Sequence, residues 1–206
     1  MKLKKLCMIL SAVAIAMATP ITSMTAFAEE RTATQEEIND VNTSGKSQFQ
    51  WENTGYSWRL LYLKKGASQW KYAYKWVQIG PDFYYFDPAT GDMAEGWFQD
   101  AAGKWFFAQC DSSSRDNKDA GKVVTGWASI RDAKGLDHIF YFGTDSNGIP
   151  SGMYQSSTPG YYKSFTIDNK QYAFDSDGHL NKSSLDDVDV KSYTRSRGSE
   201  AIAFKN

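Results

Sequence analysis

Cys110, His138 and His179 are the residues of this chain best equipped to break bonds, because a thiol beside an imidazole can act as a nucleophile. That chemistry needs a strand and helix frame to present the thiol. Cys110 instead opens the polar run Cys110-Asp111-Ser112-Ser113-Ser114-Arg115-Asp116-Asn117-Lys118-Asp119, so an unreactive thiol in an insertion is expected. Asp145-Ser146-Asn147-Gly148 and Asp175-Ser176-Asp177-Gly178 look like fragments of calcium loops, yet neither is followed by the bidentate Glu that such loops use. Hairpin turns account for both. Ser44-Gly45-Lys46-Ser47 ends like a phosphate-binding loop, but Asp40 stands where its first glycine belongs and no apolar strand precedes it. The expectation is a protein with no catalytic group, no metal and no cofactor.

Aromatic rings are the other chemistry on offer, since Tyr and Trp on open β faces bind sugars by stacking. All seven tryptophans lie between Trp51 and Trp127. Their spacing is a repeat. Trp76 leads into Phe83-Tyr84-Tyr85-Phe86, a turn at Pro88-Ala89-Thr90-Gly91 and the join Gly96-Trp97; Trp97 leads into Trp105-Phe106-Phe107-Ala108, and Gly126-Trp127 begins the phrase again. Each unit is hairpin-sized and too small to bury a core alone, so units must stack. Trp51 to Trp70 reads as a degenerate first copy, and later copies are led by Ile139-Phe140-Tyr141-Phe142 and Gln171-Tyr172-Ala173-Phe174.

Side chains alternate along a strand, so positions 1 and 3 of these aromatic quartets face one way and positions 2 and 4 the other. Position 2 is always aromatic, and position 4 is Phe except at Ala108, so this face is the expected core. Positions 1 and 3 decline to Gln171 and Ala173 and are expected to face solvent or ligand. Trp76 to Trp97 is 21 residues and Trp97 to Trp127 is 30; from Trp127 the next join, Gly152-Met153, has lost its Trp and lies 26 on. The excess lies in polar turns. The fold class expected is all-β: a solenoid of stacked β-hairpin repeats with flexible N- and C-terminal tails.

Residues 1–28 read as a signal peptide, with Met1-Lys2-Leu3-Lys4-Lys5 as its basic start and Ala26-Phe27-Ala28 as its cleavage site. Its apolar run is too short to span a bilayer comfortably, so no membrane insertion is expected after cleavage. Residues 29–48 form a polar spacer, 49–180 the array, and 181–206 a polar tail with at most a capping strand near Val188 or Ile202. Cleavage reduces the 23 basic side chains by three lysines to 20, against 24 acidic ones, a balance of −4. Nucleic acid and anionic membranes call for a basic face and are excluded as expected partners. A mean hydropathy of −0.54 beside 15% aromatic residues places the apolar content in rings, as small hairpins require.

Gly96-Trp97…Gly103-Lys104-Trp105-Phe106-Phe107 and Asp82-Phe83-Tyr84-Tyr85-Phe86-Asp87…Gly91-Asp92-Met93 resemble the choline-binding, or cell-wall-binding, repeat of Gram-positive surface proteins. Similar repeats serve glucan binding and the carbohydrate-binding ends of clostridial toxins. The resemblance spans about Trp51 to Leu180. It implies ligand sites between consecutive hairpins, each a cage of the Trp of one Gly-Trp join, the first aromatic of the strand that follows and the Trp of the next join. A quaternary ammonium suits such a cage because π faces attract it by roughly 0.5–2 kcal/mol each when desolvated. Carried over, the first cage is Trp97, Trp105 and Trp127, and the second is Trp76, Phe83 and Trp97 with Met93 at its edge. Choline-bearing teichoic acid, or a glucan or cell-wall polysaccharide, is the implied partner of a secreted, wall-associated protein. A protein-interaction scaffold whose degenerate repeats no longer bind choline is the alternative.

Overall fold

The computed structural model describes residues 48–64, 66–110, 119–181 and 190–193. Among them are thirteen β-strands and no helix, so the fold is all-β. The residues divide into two compact units, the first ending at Ala94 and the second beginning at Glu95.

In the first unit, β1 (Gln48–Asn53), β2 (Trp58–Leu63) and β3 (Lys71–Tyr72) form an antiparallel sheet, followed by the hairpin β4 (Lys75–Ile79) and β5 (Asp82–Phe86). In the second, the hairpin β6 (Gly96–Gln99) and β7 (Trp105–Ala108) precedes β8 (Gly126–Arg131), β9 (Asp137–Thr144) and β10 (Pro150–Met153). The hairpin β11 (Lys163–Ile167) and β12 (Lys170–Phe174) follows, and β13 (Lys191–Tyr193) completes the sheet order β10-β9-β8-β13. β13 pairs parallel with β8. It falls inside the stretch expected to be a tail, whereas Val188 and Ile202 lie outside the described residues, as do the signal peptide and all of the spacer but Gln48.

The repeat is visible in the hydrogen bonds. After each aromatic strand the chain turns back and bridges position 4: Phe86 to Met93, Ala108 to Val123, Phe174 to Leu180, with Phe142 paired to Met153 inside β9–β10. The next residue then donates its N–H to the carbonyl of position 3: Ala94 to Tyr85, Val124 to Phe107, Tyr154 to Tyr141 and Asn181 to Ala173, at 2.8 to 2.9 Å. Ala73 to Leu60, at 2.8 Å, repeats this in the first copy. The polar insertion leaves the scheme intact, because the Gln109 N–H donates to the Lys122 carbonyl at 2.8 Å on either side of it. Gly96 and Gly126 sit at φ +73° and +78°, a conformation that costs glycine little, and this lets each strand start beside the join it leaves.

Positions 2 and 4 are buried in all four copies, from Tyr84 and Phe86 to Tyr172 and Phe174. The expectation that position 3 is open is overturned in two copies: Tyr85 and Phe107 are 6% and 0% exposed. The cause is cross-strand pairing. Trp76 lies opposite Tyr85, Trp97 opposite Phe107 and Trp127 opposite Tyr141. Their ring centroids stand 5.2, 5.3 and 5.0 Å apart at 69°, 72° and 67°, the edge-to-face geometry that ring quadrupoles favour.

Candidate aromatic binding site

Trp51, Trp97 and Trp127 also reach the core face of the hairpin that follows. Trp51 meets Tyr84 and Phe86 at 5.5 and 6.0 Å. Trp97 meets Phe140 and Phe142 at 4.9 and 5.8 Å, and Trp127 meets Tyr172 and Phe174 at 4.7 and 6.0 Å. These rings bind hairpin to hairpin, and each keeps part of its surface in solvent. The indole is therefore both packing and potential ligand wall.

Of the first cage, the structure brings Trp97 and Trp105 together at 6.5 Å and 82°, both partly buried against the cluster of Phe107, Cys110, Val124, Phe140 and Phe142. Trp105 opens β7, one residue before the buried Phe106, so strand alternation turns its ring away from that core position. Trp127 packs in the next cluster, with Ile167, Tyr172, Phe174 and Leu180. Beside it stands Tyr141, whose phenol is pushed up from its ordinary pKa by burial and so stays neutral. Tyr141 in turn meets Tyr154 at 5.0 Å, and Tyr154 stacks on Phe165 at 4.5 Å and 22°. The sequence reading placed Tyr141 at position 3 on the face expected to meet solvent or ligand but did not name it as a wall, and Tyr154 escaped that reading.

The second cage divides between the units. Trp76, Phe83 and Met93 belong to the first, where Trp76 and Phe83 are partly buried and Met93 is 7% exposed beside Phe86. Trp97 belongs to the second. At the Gly152-Met153 join, Met153 is buried opposite Phe142, and the backbone of Gly178 lies so close that a Cβ there would overlap its sulfur. The join holds a slender thioether where an indole would find no room.

The residues with other chemistry are used structurally. Cys110, expected as an unreactive thiol opening a polar insertion, is buried in the second unit's core and meets Gly96. Such a thiol packs as a small hydrophobe. Asp145 Oδ1 accepts the N–H groups of Asn147 and Ile149 at 2.8 and 3.0 Å, and Asp175 Oδ1 those of Asp177 and His179 at 2.9 and 2.8 Å. Asp100 and Asp132 do the same for residues two and four ahead. Four Asp-x-x-Gly turns thus share one carboxylate staple, which identifies the calcium-loop fragments as hairpin turns.

No family model and no curated protein matches the chain. Among solved structures it is similar to CbpJ from Streptococcus pneumoniae TIGR4, at 26% identity and a TM-score of 0.44 over 68% of this chain and 37% of that one. It is similar to choline binding protein F from Streptococcus pneumoniae, at 25% identity and a TM-score of 0.43 over 67% of this chain and 36% of that one. The multimodular pneumococcal cell wall endolysin from phage Cp-1, complexed with choline, is a further likeness at 16% identity and a TM-score of 0.32, over 72% of this chain and 42% of that one. The chain spans little more than a third of the length of the first two.

Proposed function

We propose that this chain is a secreted, non-catalytic module that attaches without a covalent bond to a Gram-positive cell envelope, through choline of teichoic acid or a cell-surface polysaccharide. The observation that carries this reading is the Trp97 and Trp105 pair, two indoles at 82° and 6.5 Å, each partly open to solvent. Two π faces at right angles form the corner of a cage, and a quaternary ammonium seated there gains cation–π attraction without needing a hydrogen bond. Trp127, and Trp76 with Phe83 and Met93, are the remaining walls of sites between hairpins, and the arrangement is a solenoid in which several weak sites add by avidity. In this reading residues 1–28 direct export, 29–48 are a spacer, 49–180 bind and 181–206 are a polar tail. Among the described residues no helix is long and apolar enough to cross a membrane.

A second reading, a scaffold for a protein partner, draws on the packing of Trp97 and Trp127 between hairpins, which uses ring surface a ligand would need. Tryptophan fluorescence separates the two. Titration with choline chloride, against sodium chloride at matched ionic strength, is expected to give a saturable change specific to choline. Trp105→Ala is expected to lose it while unfolding in urea within about 2 kcal/mol of the parent, since only part of its ring area is buried. A response that survives in a folded Trp105→Ala protein removes this pair as the site, and no response at all shifts the assignment to neutral glycans or a protein partner.

A further inference from the structure

The chain has two histidines, and both lie at one junction. His138, on β9, and His179, in the turn after β12, stack with ring centroids 4.0 Å apart and planes 19° from parallel. Next to them Leu180 donates its N–H to the carbonyl of Ile139 at 2.8 Å, a backbone bond that docks the β11–β12 hairpin on the β8–β9 hairpin. The first unit has the counterpart: Met93 donates to the Trp58 carbonyl at 2.7 Å, and the flanking side chains there are Arg59 and Asp92, paired at 2.7 Å. One junction is flanked by an ion pair that keeps its charges across the physiological range, the other by two imidazoles that do not.

We propose that the His138 and His179 stack is a pH-sensitive latch, which holds the β11–β12 hairpin on β8–β9 while the rings are uncharged and lets it go when both are protonated. Every charged group facing the stack is identifiable. Asp132 Oδ2 lies 3.2 Å from His138 Nε2, and Asp175 Oδ2 lies 3.4 Å from His179 Nδ1. Asp177 acts on His179 through space, and Asp137 is engaged by Arg131 at 2.9 Å. One proton is accommodated by these carboxylates. A second places two like charges 4.0 Å apart on stacked faces, with Phe140 against the edge of His179 at 5.3 Å and no room for water between the rings.

Burial lowers the pKa of His179 below the ordinary histidine value, against the opposing pull of Asp175, and the neighbouring His138 lowers it further. A depressed imidazole means that the released hairpin binds more protons than the docked one. The stability it contributes is present above about pH 6.5 and is lost as the pH falls through the lower docked value. Release uncovers Trp127, which is covered by Tyr172 and Phe174 in the docked state.

Hydrogen exchange on the intact protein at pH 7.5 and pH 5.0, corrected for intrinsic rates, tests the latch. At pH 5.0 Asp132 and Asp137 remain ionised, because the Leu136 N–H holds Asp132 and the Arg131 bond holds Asp137 below the usual carboxylate values. Protection of residues 163–174 is expected to fall severalfold, because the released hairpin binds a proton more tightly than the docked one. Residues 75–86 are expected to be unaffected. H138Q, which removes the second charge, is expected to show a smaller loss, and H138Q/H179Q none. Equal protection at the two pH values, or an undiminished loss in H138Q, overturns the proposal; if H179Q prevents docking at pH 7.5, H138Q alone decides.

Discussion

Two glycines with the same backbone conformation separate strain from packing at the level of the residue. Gly148 and Gly178 have φ of +78° and +81°, but a Cβ at Gly148 meets nothing within 4 Å while one at Gly178 overlaps Met153. Gly148→Ala is expected to cost about 1 kcal/mol, from backbone strain alone. Gly178→Ala adds overpacking and is expected to cost about 3 kcal/mol. Urea unfolding of the two variants measures the difference, and equal losses would mean that Met153 is not held against this turn. Single residues also show why aromatic type does not identify a wall: Trp97 and Trp105 are the same amino acid, yet Trp97 bridges two hairpins through three core rings, Phe107, Phe140 and Phe142, while Trp105 stands at the start of its strand.

The element is the hairpin with its stapled turn. Asp145 takes two backbone N–H groups that the turn leaves without strand partners, and Gly148 and Ile149 complete the closure with Asp145 backbone bonds at 3.0 and 2.9 Å. Asp145→Ala is expected to destabilise the protein by about 1–2 kcal/mol through two lost acceptor contacts, and Asp145→Asn, which keeps an acceptor, by less. Thermal unfolding monitored by near-ultraviolet circular dichroism orders the three proteins. An Asp145→Ala protein as stable as the parent would show that the strands hold the turn without its staple. The element also explains the tolerance of the polar insertion at 111–118, since Ala108 and Gln109 pair with Val123 and Lys122 on either side of it.

At the scale of the whole molecule, the division at 94/95 places Trp97 and Trp105 in the second unit together with the His138 and His179 junction. Residues 95–206 produced alone are therefore expected to fold and to retain any choline-specific fluorescence response of the parent; β13, paired along β8 with Tyr193 against Phe107, is part of what closes that unit. A fragment that folds but has lost the parent's response would assign the response to the first unit. Fragment circular dichroism and the same choline titration make the measurement.

The strands of the repeat, its turns and its period were legible in the sequence. Tyr84 with Phe86, or Phe140 with Phe142, must share one face of a strand, and Asp-x-x-Gly at 100, 132, 145 and 175 admits a tight turn and little else. These are local properties, set by backbone sterics and by hydrogen bonds a few residues long. Only the tertiary structure decided that Tyr85 and Phe107 are covered by cross-strand tryptophans, that Cys110 is core, that Lys191–Tyr193 is a strand, and that the two histidines, 41 positions apart in the chain, touch. Each of those depends on which hairpin face meets the next. That choice is made by the fit of large rings between units, where a few ångströms separate contact from solvent, and spacing along the chain carries no record of it.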